Sequence, residues 1–194
     1  MTKKRQLRIP EIPDLEKELN RERYNRRYRR TLKSTVYTLI MLAAAAVLVA
    51  TLWLPVLEIC GSSMRPTLDD GQIVLAWKTK NLESGQIIAF YHNNRILVKR
   101  VIAHEGDWVN IDPDGTVYVN GQQLGEPYLP EKALGECNIE MPYQVPENEF
   151  FVMGDHRSTS VDSRNVAVGC VEEEQIVGKL LICIWPMEKF GLLE

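Results

Sequence analysis

An uncharged run of 22 residues, VYTLIMLAAAAVLVATLWLPVL from Val36 to Leu57, limits what this chain can fold into. As an α-helix it would be about 33 Å long at about 1.5 Å per residue, which matches a hydrocarbon core about 30 Å thick. The buried helix of a soluble protein is the alternative, but such helices seldom stay uncharged for this long. Tyr37 and Trp53 lie towards the two ends, as interfacial aromatic residues do. The run therefore predicts a transmembrane helix over residues 34–57.

The charges on the two sides of this run are strongly unequal. Residues 1–33 carry 12 Lys and Arg against 5 Asp and Glu, a net charge of +7, and the rest of the 194-residue chain has a net charge of -10. The positive-inside rule predicts that residues 1–33 form a cytoplasmic arm and that residues 58–194 lie outside the membrane. Attraction to anionic headgroups explains the arm better than nucleic-acid binding does, because its arginine cluster adjoins the predicted span.

The apolar run is also longer than the core of a cleaved secretory signal, which is typically about 7–15 residues. We therefore interpret it as an uncleaved signal-anchor, which would make the chain a single-pass protein of the cell membrane.

The remainder of the chain has the pattern of a mostly β domain. Short β-branched or aromatic runs are bounded by Gly, Asp or Asn, as in GQIVLAW, GQIIAFYH, RILVKRVIAH, DWVNI and TVYVNG, and FFVMGD and KLLICIWP are similar. PDGTVYVNGQQL carries two turn signals, Asp-Gly and Asn-Gly, around one short strand. We expect a β-barrel or a folded sheet behind the single helix. Residues 129–149 are rich in Pro, Glu and Gly and predict a long loop.

The four cysteines, Cys60, Cys137, Cys170 and Cys183, form no CxxC pair, which argues against a zinc site. A disulfide is compatible with a domain outside the membrane, but the spacing selects no pair. Buried free thiols are the simpler interpretation, above all for Cys183 in the apolar run LLICIW. We expect no metal and no organic cofactor.

Three segments combine residues that can carry chemistry. GSSMRPTLDDG follows the span, ILVKRVIAHEGD contains Lys99 beside Arg100, and FVMGDHRSTSVDSRNVAVG ends a strand in a polar loop. Each segment alone is weak evidence, because serine-rich turns, solvated strand lysines and charged turn networks are common. Neighbouring residues of a strand point to opposite faces, so we expect one of Lys99 and Arg100 to be drawn inward.

Together, and in this order behind one span, the segments resemble the type I signal peptidase family. These are bacterial membrane-bound serine endopeptidases that remove signal peptides, and the short body resembles Gram-positive members. GSSMRPTL is similar to the family's nucleophile segment and LVKRV to its general-base segment. GDHRSTSVDSR is similar to the family's Gly-Asp-Asn-Arg…Ser-x-Asp-Ser-Arg segment, with His156 in place of the usual asparagine.

The resemblance implies that Ser63 is the nucleophile and Lys99 the general base. A lysine can act as a base only when it is neutral, and burial among apolar residues favours that form. The resemblance also implies that Ser160 orients the lysine through a hydrogen bond and that Asp162 and Arg164 form a supporting salt bridge.

The oxyanion donor should be the backbone N–H of Ser63. Gly61 stands where some members of the family have a serine that adds a second donor, and Ser62 is one residue away from that register.

Three other functions fit the sequence less well than a signal peptidase. A Ser-His-Asp triad would need His92, His104 or His156, but the chain has no G-x-S-x-G elbow. A self-cleaving repressor-like protein would not need the span, and an inactive binding homologue would not need both Ser63 and Lys99. The implied partners are the lipid bilayer and signal peptides of translocated preproteins that end in Ala-x-Ala. The sequence is compatible with a general or a specialised substrate set, and it indicates no oligomeric state.

Overall fold

A long helix precedes a body of short antiparallel strands in the computed structural model, which describes residues 12–193. The helix, α1, runs from Ile12–Trp53 without a break and so continues from the predicted arm into the predicted span. By length and composition it is the one helix among the described residues that could cross a membrane. It ends at Trp53 because Pro55 lacks an N–H group and disfavours helical geometry in the residue before it. Residues 1–11 of the predicted arm lie outside the described residues.

The described residues divide into two compact units, one up to residue 49 and the other from residue 50 onward. The second unit contains twelve strands, all paired antiparallel. They are β1 Val56–Glu58, β2 Ile73–Trp77, β3 Ile87–His92, β4 Arg95–Ala103, β5 Trp108–Ile111, β6 Val117–Val119, β7 Gln122–Gln123, β8 Tyr143–Gln144, β9 Glu149–Met153, β10 Val171–Glu172, β11 Ile176–Trp185 and β12 Gly191–Leu192. The mostly β class predicted from the sequence is therefore confirmed.

Eight of these strands form one large sheet. Its order is β1-β2-β11-β3-β4-β9-β10, and β12 also pairs with β11. Within residues 12–193 the edge strands β1 and β10 do not pair with each other, so the sheet is not closed into a barrel. Of the two forms expected from the sequence, the structure adopts the folded sheet.

A second sheet has the order β7-β6-β5-β8. Its tight turn is the predicted Asn-Gly hairpin, because Asn120 and Gly121 between β6 and β7 have φ values of 53° and 78°. The predicted loop of residues 129–149 also contains β8, which pairs with β5. This strand has only two residues, too short for an alternating pattern to show in the sequence.

Both faces of the large sheet are covered, and this changes one expectation. Along β3, Ile87 and Ala89 pack in one apolar cluster, whereas Ile88 packs in another. Lys99 and Arg100 point to opposite faces of the neighbouring strand β4, yet only 3% and 2% of their surfaces are exposed. The expectation that only one of them is drawn inward was wrong, because neither face of β4 is open to solvent at this point.

Candidate active site

The hydroxyl of Ser63 and the amine of Lys99 are in direct contact. Ser63 belongs to the turns between β1 and β2, and Lys99 lies inside β4. The distance between Lys99 Nζ and Ser63 Oγ is 2.7 Å, which is hydrogen-bond length. The fold thus brings together two residues that are 36 positions apart in the sequence.

Burial changes the chemistry of this lysine. Removal from water lowers the pKa of Lys99 from 10.5 to about 8, and the nearby Arg164 acts in the same direction. The carboxylates of Asp162 and Asp155 oppose that change because they favour the ammonium form. Burial is the largest of these influences, so the amine of Lys99 is partly neutral near neutral pH and can accept a proton.

The segment that carries Ser63 is held at both ends. Gly61 has a φ of 97°, a conformation that L side chains rarely adopt, and its N–H donates to Asp70 Oδ1 at 2.5 Å. On the other side of Ser63, Met64 is buried in the apolar core. The carbonyl of Ser63 accepts a hydrogen bond from the N–H of His156 at 3.0 Å, which joins this segment to the polar loop after β9.

Asp162 and Arg164 form a buried two-pronged ion pair in that loop. Arg164 Nε donates to Asp162 Oδ1 at 2.8 Å and Arg164 Nη2 donates to Oδ2 at 2.9 Å. Asp162 Oδ2 also accepts the N–H of Gly154 at 2.9 Å. The pair therefore fixes the loop to the end of β9, next to the residues that contact Ser63.

Ser160 lies beside the site, but its expected bond to the lysine is not formed. Its hydroxyl is buried and has no hydrogen-bond partner among the described residues. Gly154 separates it from Ser63, since a Cβ on Gly154 would contact the Ser160 hydroxyl and would come within 2.5 Å of the Ser63 carbonyl oxygen. Only glycine fits at this position, which the sequence alone did not reveal.

A second buried ion pair lies on the other face of β4. Arg100 Nε and Nη2 donate to the two carboxylate oxygens of Asp155 at 2.9 and 2.7 Å. Thr67 Oγ1 donates to Asp155 Oδ2 at 2.5 Å. Asp155 therefore links β4 to both the Ser63 segment and the polar loop. Asp155 belongs to the sequence segment GDHRSTSVDSR, which gave no sign of these partners.

The histidines and cysteines are not arranged for another catalytic centre. His92, His104 and His156 all lie within residues 12–193, and none of their rings hydrogen-bonds the Ser63 hydroxyl there; the His156 ring instead contacts Thr159 Oγ1 at 3.0 Å. The structure gives no support to the histidine triad.

All four cysteines are free thiols. Cys183 is buried, as the sequence indicated, and Cys60 is exposed. Burial, assisted by the Glu149 carboxylate, raises the pKa of the Cys170 thiol to about 12.

A cleft of about 240 Å³ opens beside the Ser63–Lys99 pair. Two stretches of chain form its walls, residues 57–61 at and after edge strand β1 and residues 96–98 of β4. Cys60 and Gly61 line it near Ser63, together with the apolar side chains Leu57, Ile59 and Val98. Its small volume and mostly apolar lining suit small side chains.

Comparisons with known proteins show to which family the chain belongs. Residues 32–185 match the family described as signal peptidase, peptidase S26. The chain belongs to this family. It is 38% identical over 151 residues to signal peptidase IB of Staphylococcus aureus, which covers 67% of this chain and 77% of that protein.

Two further relatives were found. Signal peptidase I T of Bacillus subtilis is 36% identical over 142 residues, covering 66% of this chain and 72% of that protein. The crystal structure of a signal peptidase I from Enterococcus faecalis has 30% sequence identity and a TM-score of 0.44, covering 53% of this chain and 99% of that one. As a member of the S26 peptidase family, the chain is a serine peptidase, which agrees with a serine hydroxyl held against a buried amine.

Proposed function

We propose that this signal peptidase family member cleaves signal peptides from translocated preproteins, with Ser63 as nucleophile and Lys99 as general base. One observation carries the proposal: the 2.7 Å contact between Ser63 Oγ and the buried Nζ of Lys99. A serine hydroxyl is a weak nucleophile until a base removes its proton. With its pKa lowered to about 8, Lys99 can be that base near neutral pH.

In the first step Lys99 Nζ takes the proton of Ser63 Oγ as the oxygen attacks the scissile carbonyl. The negative charge that develops on the carbonyl oxygen needs a fixed donor, and the backbone N–H of Ser63 is proposed for this role. Lys99 then returns the proton to the leaving amine, and an acyl-enzyme ester remains on Ser63. A water molecule, activated by the same amine, hydrolyses this ester and restores Ser63.

Ser160, Asp162 and Arg164 are proposed as supporting residues. The buried Ser160 hydroxyl has an unused donor and acceptor close to the site, which a neutral lysine amine could use. The Asp162–Arg164 pair keeps its loop against Gly154. We therefore expect these residues to affect the rate through the position of Lys99 rather than through contact with substrate.

The cleft suggests how substrate is held. β9 pairs with β4 only from Arg100 onward, so within the described residues no strand occupies this edge of β4 from Arg95 to Lys99. β1 is likewise an edge strand. An extended peptide can hydrogen-bond to such free edges while alternate side chains enter the cleft. We propose that the small residues of an Ala-x-Ala site bind there.

The proposed topology follows the sequence, with one boundary moved by the structure. Residues 1–33 form the cytoplasmic arm, and the helix from residue 34 to Trp53 forms the signal anchor. Residues 56–57, which the sequence assigned to the span, belong instead to β1 and to the catalytic domain outside the membrane, because β1 pairs with β2. Exposed apolar residues near the C-terminus, Trp185, Met187, Phe190 and Leu192, suit contact with a lipid surface. An impermeant maleimide should label the exposed Cys60 in intact cells but not a cysteine placed at Asn25. If only the Asn25→Cys site were labelled, the orientation of the chain would be the opposite of the one proposed.

The function is tested by incubating detergent-solubilised full-length protein with a preprotein that has an Ala-x-Ala site. Wild-type protein should cut after the second alanine, and Ser63→Ala and Lys99→Arg should each lose at least about a thousandfold in rate. Lys99→Arg is informative because arginine stays protonated and cannot act as the base.

The matched control is Ser62→Ala, which removes a neighbouring serine and should cleave at the wild-type rate. A preprotein with Phe in place of the second alanine should not be cut. Cleavage by folded Lys99→Arg at the wild-type rate would refute the proposed base, and failure of folded wild-type protein to cut would refute the function.

A further inference from the structure

Residues 126–138 lie between β7 and β8 of the small sheet and contact the polar loop that bears Ser160, Asp162 and Arg164. We call this segment the strap. It contacts all three of the largest buried side chains in the described structure, which are the arginines Arg100, Arg157 and Arg164. The sequence assigned no role in the site to any strap residue, because the segment is weakly patterned and its partners are distant along the chain.

The first contact is a buried ion pair between Glu126 and Arg157. Both side chains are 1% exposed, and both Arg157 Nη atoms contact the Glu126 carboxylate, Nη1 at 3.4 Å. Arg157 Nε also donates to the Gly154 carbonyl at 3.1 Å. Gly154 in turn lies against the Ser63 carbonyl and Ser160. Arg157 and Gly154 therefore connect the Glu126 carboxylate to the carbonyl of the candidate nucleophile, Ser63.

The second contact is between Tyr128 and Arg100. The guanidinium carbon of Arg100 lies 3.9 Å from the centre of the Tyr128 ring, a cation–π arrangement. The Tyr128 hydroxyl donates to Glu126 Oε1 at 3.1 Å, which joins the first contact to the second. Arg100 directly follows Lys99 on β4 and holds Asp155 through two hydrogen bonds. Tyr128 thus covers the ion pair on the reverse side of the strand that carries the candidate base.

The third contact is made by the strap backbone. Arg164 Nη1 donates to the carbonyl oxygens of Leu134 and Ala133, and the N–H of Asn138 donates to the Arg164 carbonyl at 3.0 Å. Gly135 has a φ of 63°, and a Cβ there would come within 2.7 Å of Arg164 Nη1. The strap and the polar loop are therefore in close contact along their length.

We propose that the strap holds the peptidase site in its working geometry, with Glu126 and Tyr128 as positioning residues for Ser63 and Lys99. This inference rests on the proposed function of that pair. Glu126 fixes Arg157 and the Gly154 backbone, and Tyr128 fixes Arg100 and Asp155. Neither residue contacts substrate, so each acts on the rate of the chemical step rather than on binding. A displacement of about 1 Å at a reacting group can reduce a rate by about a hundredfold.

The test compares Tyr128→Leu, which removes the aromatic ring, with Tyr128→Phe, which keeps the ring over Arg100. In detergent-solubilised full-length protein, Tyr128→Leu should lower kcat for preprotein cleavage by at least about tenfold with KM within about twofold. Tyr128→Phe should recover most of this loss, because the cation–π contact depends on the ring and not on the hydroxyl. Tyr91→Leu removes an exposed tyrosine of β3 and is the matched control.

A second measurement separates positioning from simple destabilisation. The pKa of Lys99 is measured by NMR titration of its side-chain nitrogen in wild-type protein and in both Tyr128 variants. Both variants keep the charged residues that act on the pKa of Lys99, which are Asp155, Asp162 and Arg164. If the loop loosens, water reaches Lys99, and its pKa should rise in Tyr128→Leu towards the ordinary lysine value. A variant that is merely less stable, but correctly arranged when folded, would leave this pKa unchanged.

Glu126→Gln provides a further test, because it should also lower kcat with little change in KM. If this variant does not fold, the two Tyr128 variants decide the question.

Folded Tyr128→Leu with wild-type kcat and an unchanged Lys99 pKa would refute the proposed positioning role of the strap. If wild-type protein does not cleave preprotein, the proposed function fails, and the Lys99 titration then decides alone whether the strap positions the pair.

Discussion

Replacement of Lys99 by methionine should abolish cleavage and at the same time make the fold more stable. Burial lowers the pKa of Lys99 from 10.5 to about 8, so the folded protein holds the ammonium proton less tightly than the unfolded chain does. Since a tenfold change in proton affinity corresponds to about 1.4 kcal/mol, the charged lysine costs the folded state about 3 kcal/mol below pH 8. Methionine has a similar length and no charge. The loss of the hydrogen bond to Ser63 destabilises the variant by about 1 kcal/mol, so its net gain in stability is about 2 kcal/mol at pH 7.

The sign of the pH dependence follows from proton linkage. Between pH 8 and pH 10.5 the unfolded chain binds more protons at Lys99 than the folded protein does, so wild-type stability rises with pH in this window. The advantage of Lys99→Met should therefore be full at pH 7 and should disappear by about pH 10.5. The assay is denaturant unfolding of both proteins in detergent, followed by tryptophan fluorescence at pH 7, 9 and 10.5.

Lys80→Met is the control, because Lys80 is an exposed lysine in a surface ion pair, and its replacement should change the unfolding free energy by less than about 0.5 kcal/mol. A Lys99→Met protein that is no more stable than wild type at pH 7 would refute the reasoning. So would a stability gain that stays constant from pH 7 to pH 10.5.

Further predictions concern the rate, the loop and the thiols. Cleavage should increase about tenfold per pH unit below pH 8 and level off above it, as Lys99 loses its proton; a profile that levels off near pH 5 would contradict this. Gly154→Ala should lower kcat by about a hundredfold, because its Cβ would displace the Ser63 carbonyl. Asp162→Asn should cost about 3–5 kcal/mol in urea unfolding, since it leaves a buried arginine without its charge partner. At pH 8 a maleimide should modify the exposed Cys60 and not the half-buried Cys170, whose pKa is raised to about 12, as mass spectrometry of the folded protein can show.

Local sequence patterns were sufficient to predict the regular strands. β2, β3, β4, β5, β6, β9 and β11 all lie within or overlap runs that alternate or are rich in β-branched residues. The two-residue strands β7, β8, β10 and β12 are too short for such a pattern, and β8 and β10 are held by pairing with strands that are distant in the sequence. Element type was thus predictable where the signal is local, and the pairing order was not.

The site shows the same division. The contact between Ser63 and Lys99 and the pairing of Asp162 with Arg164 were expected from a resemblance to known sequences, and the structure brings each pair together. Ser160 lies close by but does not make its expected hydrogen bond.

The contacts of Glu126 and Tyr128 could not be predicted. A glutamate and a tyrosine in an irregular segment carry no periodicity, and their burial depends on arginines 31 and 28 positions away.

The length of the unbroken helix α1 determines which of its basic side chains can interact with charged lipid headgroups. At about 1.5 Å per residue its 42 residues extend roughly 63 Å, about twice the thickness of a hydrocarbon core. If the apolar half spans the bilayer along its normal, the basic half projects beyond the membrane surface as a rod. Salt screens charges over about 8 Å at physiological ionic strength. Arg29, Arg30 and Lys33 lie within that distance of the apolar half and are attracted to anionic headgroups, whereas Arg21 and Arg23 lie beyond it. The outer arginines then contribute little to the attraction between the helix and the membrane surface.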